Sequence, residues 1–384
     1  MTETITPRRT TRQAISELRR LIAEGDFADH ELPAERELAE RLSVTRHAVR
    51  VALGALAGDG TVTQQGQLWR VGATPRALAD GALVVLTDTI RHPDSTPGGH
   101  LERIVAGALD TAQTWAIARG APLLCLPVPV INQATAARVL AERPRGVLVV
   151  TTHMDGAALS TAIAPLIASG IPLAAHGLTE DLPDIDSVSS DHAAGAAALV
   201  GWLAGRGCRR VLRGWQPDGR AWLANRDRGA REACRHQGME LLPTPPRLPG
   251  VLAEEAADAA AFERQVDALA GVLAPVLTGA EPPEAILATS DRHAFRFIAA
   301  LRRFRLAGPT PLVCGYDNFW RDDPELAAAG GPLDATIDKL NRDTGKAVFA
   351  LLAERLAGHT GPPRHILLEP RLVVTSESGD AHVL

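Results

Sequence analysis

The sequence predicts an α/β fold in two parts, and two observations lead to that prediction. Up to residue 58, apolar residues recur at helical spacing, and two short strand candidates follow them. From residue 82 onward, short apolar runs alternate with helical stretches, which is the order of a doubly wound parallel sheet covered by helices on both faces. A chain of 384 residues is long enough for two or three domains.

The first part begins with two predicted helices. Residues 8–24 form an amphipathic pattern, and its apolar stripe consists of Ile15, Leu18 and Ile22. Pro33 suits the first turn of a second helix over residues 33–42, because proline has no N–H to leave unpaired there. The segment "SVT" that follows predicts a tight break between this helix and the next.

A third helix and a hairpin complete the first part. Thr45 can cap the third helix, whose predicted core positions are Val49, Leu53 and Leu56. The segment "TVTQQGQLWRVG", residues 61–72, reads as two short strands around Gly66. Helix, helix, turn, helix and hairpin is the order of a winged helix-turn-helix, which we predict over residues 1–72.

Charge distinguishes this module from the chain as a whole. The net charge is −5, which argues against a protein that binds nucleic acid over its entire surface. Between residues 41 and 70, however, a single acid, Asp59, stands against the arginines Arg41, Arg46, Arg50 and Arg70. A local basic patch in an acidic chain indicates one DNA-facing module on a larger body.

The second part follows a linker predicted over residues 73–82. Its predicted strands are the apolar runs at residues 82–87, 122–128, 146–151, 171–176, 210–215, 284–290 and 311–316. Residues 83–384 exceed what one doubly wound sheet comfortably holds. We therefore expect a domain of two lobes with a cleft between them.

Several classes of protein are disfavoured. No apolar run reaches the roughly 18 residues that a membrane helix needs, and the N-terminus lacks a secretory apolar segment. Four scattered cysteines without paired histidines predict neither disulfides nor a metal site, which fits a cytoplasmic protein. Enzyme signals are weak, because the sequence has no GxxxxGK(S/T) loop, no HExxH motif and no paired Cys and His, and "GYDNFW" and "SSDHAAG" contain no nucleophile elbow. Pyridoxal chemistry would need a lysine, and Lys339 and Lys346 both stand in helix-like contexts.

The segment "LPAERELAERLSVTRHAVRVALGALAGDG", residues 32–60, resembles the DNA-binding module of the GntR family, in both its polar and its apolar positions. The resemblance implies that Arg36, Arg46 and Arg50 contact phosphates or base edges, and that the wing at Gln65, Gly66 and Gln67 approaches the minor groove. Thr45 and His47, at the start of the third helix, belong to the same expected surface.

The second part resembles the effector domain of the LacI/GalR family, which shares the fold of periplasmic sugar-binding proteins. The segments that carry the resemblance are "SVSSDHAAGAAALVGWLAGRGCRRV", "NRDRGAREACRHQGM", "AILATSDRHAF" with "PLVCGYDNF", and "LDATIDKLNRDTGKAVFALL" with "PPRHILLEPRLVVTSES". A GntR-type head on a LacI-type body is the arrangement of sugar-responsive repressors of the arabinose-repressor type. The resemblance implies a small-molecule effector, a carbohydrate by analogy.

Candidate effector contacts lie where strands or helices of both predicted lobes end or begin. They are Thr87, Asp88, Asp191, Arg226, Ser290 and Asp317. Carboxylates and an arginine suit a polyhydroxylated ligand, because a hydroxyl can donate to Asp and accept from Arg. Structural alternatives stay open: Asp191 and Asp291 could be helix caps, and Arg226 could pair with neighbours of Asp227. His153, His176, Trp215 and Trp320 could line the site or only pack.

The sequence thus predicts a ligand-responsive transcription regulator, a repressor that binds operator DNA as a homodimer. Two alternatives use the same scaffold. A solute-binding protein would not need the DNA-binding head, and a sugar-modifying enzyme would need a catalytic constellation that the sequence does not offer.

Overall fold

The computed structural model describes residues 11–23, 27, 31–58, 61–65, 68–71, 81–87, 100–128, 131–151, 156–178, 180–216, 218–248, 252, 258–306, 308–323, 325–375 and 381–383. The chain divides into two compact units. One comprises Met1–Ile90, Trp115–Val149 and Leu159–Leu173, and the other comprises Arg91–Thr114, Val150–Ala158 and Ala174–Leu384. Except for Gly81 and Ala82, the linker predicted over residues 73–82 lies outside the described residues, so that boundary stays a prediction.

The first unit begins with the predicted winged helix-turn-helix. Its elements are α1 (Thr11–Ala23), β1 (Glu31–Leu32), α2 (Glu35–Leu42), α3 (Arg46–Gly58), β2 (Val62–Gln65) and β3 (Leu68–Val71). The described strands form an antiparallel sheet in the order β1-β3-β2. The hairpin prediction is confirmed, whereas the two-residue strand β1 was not predicted because it is too short to show an alternating pattern.

The core of this module comes from all three helices. Val49, Leu53 and Leu56 of α3 are fully buried, as predicted. On α1 the buried stripe is Ala14, Leu18 and Leu21, while Ile15 and Ile22 pack against its edge, so the predicted stripe was displaced around the helix. The second helix begins at Glu35, with Ala34 as its N-cap. Pro33 therefore lies before the helix and not in its first turn, where the prediction of residues 33–42 had it.

The remaining described elements include a strand at each of the seven predicted apolar runs, together with six strands that were not predicted. The strands are β4 (Leu83–Thr87), β5 (Leu123–Pro127), β6 (Gly146–Val150), β7 (Leu173–His176), β8 (Asp186–Ser190), β9 (Arg210–Arg213), β10 (Glu240–Leu242), β11 (Ala285–Leu287), β12 (Leu312–Cys314), β13 (Ala335–Asp338), β14 (His365–Leu368), β15 (Arg371–Thr375) and β16 (Ala381–Val383). Those that were not predicted are β8, β10 and β13 to β16. The helices are α4 (His100–Arg119), α5 (Gln133–Ala141), α6 (Gly156–Ala168), α7 (His192–Gly205), α8 (Ala221–Gln237), α9 (Ala259–Leu277), α10 (Asp291–Leu301), α11 (Glu325–Ala329) and α12 (Asn341–Leu356).

Two further sheets occur in the described part of the chain. One has the order β14-β8-β7-β6-β4-β5, and the other has the order β10-β9-β11-β12-β13-β15-β16. Strands β9 to β13 are parallel to one another. At the edge of this sheet, β15 and β16 pair in antiparallel fashion, which the prediction of parallel sheets did not include. Because β9, β11, β12 and β13 run the same way, the segments that follow them meet at one edge of the sheet.

No helix among the described residues has the length and apolar character that crossing a bilayer requires.

Candidate functional site

The outer face of α3 carries the basic side chains expected to contact DNA. Arg46, His47 and Arg50 are exposed, and they point away from the core positions of the same helix. The helix begins at a threonine cap, since the Thr45 hydroxyl accepts a hydrogen bond of 3.1 Å from the Ala48 amide. Thr45 is itself exposed, so its position suits a contact at the N-terminal end of α3, where a phosphate is favoured.

Two of the arginines that are expected to contact DNA, Arg50 and Arg36, form exposed ion pairs. Arg50 makes a two-pronged contact with Glu35 of α2, at 2.9 Å from Nη2 and 3.3 Å from Nε. This hydrogen bond lowers the pKa of the Glu35 carboxyl. Arg36 lies 3.9 Å from Glu40, one turn away on α2. Exposed pairs of this kind contribute little to stability, so an arginine can exchange its carboxylate for a DNA phosphate at small cost.

The predicted wing is only partly described. The backbone of Gln65 pairs with Leu68 at the end of the hairpin. Gly66 and Gln67 lie outside the described residues, as does the side chain of Gln65, so the expected minor-groove contact stays a prediction.

The six predicted effector residues occupy different settings. Thr87 is buried at the end of β4 in the first unit, and its carbonyl accepts from the Val128 amide at 2.8 Å. Asp88 and His153 lie outside the described residues. The other four candidates, Asp191, Arg226, Ser290 and Asp317, belong to the second unit.

Asp191 and Ser290 are helix caps. Asp191 Oδ1 accepts from the amides of Ala193 and Ala194 at 3.0 and 2.9 Å, at the start of α7. The Ser290 hydroxyl accepts from the His293 amide at 3.2 Å, at the start of α10. The capping alternative is therefore confirmed for Asp191. Both residues remain half-buried, and a helix N-terminus favours negatively charged ligand groups.

Arg226 and Asp317 are brought together, with a third residue that sequence reasoning missed. Asp317 follows β12, and its Oδ1 lies 3.8 Å from Arg226 Nη2 and 2.5 Å from the ammonium of Lys339, which follows β13. All three side chains are at least nine-tenths buried. The sequence predicts Arg226 at the start of a helix, but it lies in the second turn of α8. We call Arg226, Asp317 and Lys339 the buried charge cluster.

The guanidinium of Arg226 is fixed by its neighbours. Its Nε donates to His192 Nδ1 at 3.3 Å, and its Nη1 donates to the Thr289 carbonyl at 2.6 Å. Its Cζ lies 4.5 Å from the ring centroid of Trp222 and 3.5 Å from that of Tyr316. Burial lowers the pKa of Arg226, and the charge of Asp317 opposes that shift. A planar cation stacked on aromatic rings keeps its remaining N–H groups in fixed directions.

A buried carboxyl group, Asp291, lies beside this cluster at the start of α10. It accepts hydrogen bonds from the Thr336 hydroxyl at 2.5 Å and from the Phe319 amide at 2.9 Å. Burial, with the nearby charge of Asp317, raises the pKa of Asp291 to about 7. The capping alternative is wrong for Asp291, because Ser290 is the cap of α10. Asp291 is a carboxyl that is partly protonated at neutral pH.

Unusual backbone geometry accompanies the cluster. Asp317, Asn318 and Leu340 have φ values of 115°, 55° and 56°, in the left-handed region that non-glycine residues rarely adopt. Leu340 directly follows Lys339. Such geometry persists only where the surroundings enforce it, and it concentrates at functional sites. The loops after β12 and β13 therefore hold Asp317 and Lys339 in defined positions.

A glycine on α7 leaves room for Tyr316, the tyrosine that lies against Arg226 of the buried charge cluster. A Cβ atom at Gly195 would lie 2.2 Å from Tyr316 Oη, so only glycine leaves room for that hydroxyl. Tyr316 Oη in turn donates to the His192 carbonyl at 3.4 Å. Burial raises the pKa of Tyr316 above its usual range, so the phenol stays protonated.

Trp215, Trp320 and His176 have contacts within the second unit. Trp215 is buried, and its Nε1 donates to Asp227 at 3.3 Å. Trp320 is buried in the core of the second unit. The His176 ring contacts the Thr151 carbonyl at 3.1 Å. Asp227 pairs with Arg213 and Arg231, and Arg226 is not part of that network.

Sequence reasoning missed Lys339 because it was assigned to a helix-like context. It stands between β13 and α12, at the sheet edge where Asp317 also lies. One signal was available: nearly all basic side chains of the chain are arginine, with lysine only at 339 and 346. A lysine that is an exception to such a bias is a candidate for a specific role.

Two family models match separate parts of the chain. Residues 10–68 match the model of the bacterial regulatory proteins of the gntR family, and residues 200–376 match the model of a periplasmic binding protein-like domain. No curated protein sequence matches the chain.

Solved structures show the same fold at low sequence identity. A regulatory protein of the LacI family from Chloroflexus aggregans is 19% identical, with a TM-score of 0.59, over 78% of this chain and 99% of that one. A periplasmic binding ribose operon repressor protein from Lactobacillus acidophilus is 14% identical, with a TM-score of 0.56, over 78% and 99%. An ABC transporter solute-binding protein from Burkholderia graminis, in complex with D-arabinose, is 13% identical, with a TM-score of 0.55, over 80% and 96%.

The chain thus joins a DNA-binding domain of the gntR family to a periplasmic binding protein-like domain related in fold to LacI-family regulators, which is the combination of a ligand-responsive transcriptional regulator.

Proposed function

We propose that this protein is a cytoplasmic repressor that binds a near-palindromic operator as a homodimer and is switched by a carbohydrate-like effector. One observation carries the proposal. A single chain contains both a helix-turn-helix and a buried charge cluster. The α3 arginines of the helix-turn-helix are exposed, and strained loops fix the cluster in the second unit. The first feature suits DNA, and the second suits a small polar molecule.

At the operator, Arg46 and Arg50 read base edges from the major groove, where arginine can bond guanine bidentately. Arg36, on α2, contacts a phosphate and positions the module without specifying sequence. A two-fold symmetric dimer places two α3 helices on two half-sites, whose spacing is set by the dimer.

In the second unit, Arg226 and Asp317 hold effector hydroxyl groups, and Asp191 and Ser290 lie nearby at helix N-termini. Thr87 and Asp88 stay candidate contacts on the strength of the sequence alone. One protein of similar fold was solved in complex with D-arabinose, and another is described as a ribose operon repressor. These two structures favour a sugar as the class of effector. Effector binding changes dimer geometry, and a coupling of about 1–3 kcal/mol would shift operator affinity roughly 5–150-fold.

The decisive experiment is footprinting and gel-shift analysis on the DNA upstream of the protein's own gene at low salt, where phosphate contacts are strongest. Protection of a near-palindrome supports the proposal, and the protected spacing reports the dimer. Absence of any protected site there would reject operator binding.

We expect no turnover of the effector, in contrast to a sugar-modifying enzyme on the same scaffold. The effector recovered after incubation should be chemically unchanged. A solute-binding protein is the other alternative, and the gntR-type domain argues against it because transport does not require DNA binding.

A further inference from the structure

The buried charge cluster carries an excess of positive charge whenever Asp291 is protonated. Arg226 and Lys339 then share the carboxylate of Asp317. Burial lowers the pKa of Lys339, and the charge of Arg226 adds to that effect while Asp317 and Asp291 oppose it. Two buried cations beside one ionised carboxylate are incompletely neutralised, and an unneutralised buried charge is costly.

Among the described residues, Asp317 is the carboxylate that forms ion pairs with Arg226 and Lys339, and the other charged groups nearby make their contacts elsewhere. Asp191 caps α7. Asp338 accepts from Asn318 Nδ2 at 3.1 Å and from the Leu340 amide at 2.8 Å. Arg220 pairs with Asp218 and lies over the Trp222 ring, and Arg103 donates to the Asn318 carbonyl at 3.3 Å.

Lys339 also has donor capacity that the cluster does not use. An ammonium group has three N–H donors, and one Asp317 oxygen lies at 2.5 Å. Among the described residues this leaves donors for an acceptor from a ligand. A buried donor without an acceptor costs free energy, so a ligand oxygen in this position would be favoured.

We propose that the effector is an acidic sugar, a sugar carboxylate or sugar phosphate, whose anionic group binds between Lys339 and Arg226. The inference rests on the proposed function of this cluster as the effector site, and it adds the charge class of the ligand and a new contact, Lys339. An anion there supplies the negative charge that Asp317 alone does not.

Asp291 makes this binding sensitive to pH. The groups that face it are Asp317 and the Phe319 amide from the loop after β12, and Thr336 and Lys339 from β13 and the segment after it. On its own helix, Arg292 pairs with Asp323, and burial lowers the pKa of His293 to about 4, so that His293 stays neutral. The pKa of Asp291 is about 7, so raising the pH adds a carboxylate that competes with the bound anion.

The test compares matched sugars by isothermal titration calorimetry on the full chain. The pairs are D-galactose with D-galacturonate, D-ribose with D-ribose 5-phosphate, and D-arabinose with D-arabinonate, and inorganic phosphate serves as the probe without a sugar. We expect at least one acidic sugar to bind about tenfold more tightly than its neutral partner. That affinity should fall by up to about tenfold per pH unit above neutrality, while neutral sugars show no such trend. The uronate and phosphate arms distinguish the two anionic groups.

Lys339→Gln should remove the preference for the acidic member. Lys346→Gln is the matched control, because it removes the other lysine of the chain, which is half-exposed and paired with Asp343 at 3.3 Å. The control should keep the preference. If Lys339→Gln does not fold, the wild-type preference and its pH dependence decide the matter.

The proposal is overturned if neutral sugars bind as tightly as their acidic partners, or if no acidic probe binds at about 10 mM. It is also overturned if folded Lys339→Gln keeps the preference. Operator binding without any sugar tests the proposed function separately, so a regulator that responds only to neutral sugars would refute the charge class alone.

Discussion

Asp317→Asn is the substitution whose consequences can be worked out most fully from the structure. It keeps the shape of the side chain but removes the negative charge between two buried cations, Lys339 at 2.5 Å and Arg226 at 3.8 Å. At an effective dielectric constant of about 20, the two attractions correspond to about 7 and about 4 kcal/mol. Proton release limits the loss, because Lys339 can become neutral at pH 7 for about 5 kcal/mol. We therefore expect a loss of about 3–5 kcal/mol in the free energy of unfolding.

The variant should also acquire a characteristic pH dependence. Without Asp317, the folded-state pKa of Lys339 falls further below its unfolded value, so the unfolded chain binds more protons. The stability of the variant should then rise as the pH increases from about 7 toward 10, more steeply than that of the wild type.

Urea denaturation at neutral and alkaline pH, followed by circular dichroism, measures both effects. Asp343→Asn is the control, since it disrupts an exposed Asp–Lys pair of the same type and should cost no more than about 1 kcal/mol. The double variant Asp317→Asn/Lys339→Met should recover part of the lost stability by removing the unpaired ammonium. The reasoning is refuted if Asp317→Asn is as stable as the control variant at pH 7.

Three further predictions concern the two units separately. Arg46→Ala and Arg50→Ala should each weaken operator binding by about 1–3 kcal/mol in gel-shift titrations, because a bidentate base contact is lost. Effector affinity should not change. Loss of both operator binding and effector binding would contradict the two-module account. Leu53→Ala, in the fully buried core of the first unit, should destabilise that module by about 2–5 kcal/mol, measured by urea denaturation, whereas Ala55→Ser on the exposed face of the same helix should have little effect. Asp291→Asn should flatten the pH dependence of the free energy of unfolding. In the wild type the pKa of Asp291 is raised to about 7, above an unfolded value near 4. The stabilisation that Asp291 contributes is therefore fully present below about pH 4 and is lost as the pH rises through about 7. An unaltered profile between about pH 4 and pH 8 would show that Asp291 does not titrate in this way.

The regular parts of the fold were predictable because their signals are local. The third helix placed Val49, Leu53 and Leu56 in the core, and all three are fully buried. Each of the predicted apolar runs in the second part became a strand. The strands β8, β10 and β13 to β16 were not predicted. β8 was missed because its sequence, "DSVSS", is mostly polar, although every residue of it is buried. Burial of polar side chains depends on partners elsewhere in the chain, such as Arg355 and Arg364 for Asp186, and a local pattern does not contain them.

The candidate effector site was predictable only in part. Arg226 and Asp317 were both selected from the sequence, and the structure brings them to one place. That they bind the effector stays a prediction. The raised pKa of Asp291 could not be foreseen, since it results from burial next to Asp317, on a loop after a different strand.

The sequence by itself determined the helix-turn-helix, the exposed positions of its arginines and the strands that have an apolar run, because helix and strand periodicities are properties of neighbouring residues. Only the tertiary structure decided which charges meet. Parallel strands bring the segments after β11, β12 and β13 to the same edge of the sheet, and this places Asp291, Asp317 and Lys339 in contact range. Electrostatic environment depends on distance in space, and the fold alone sets that distance.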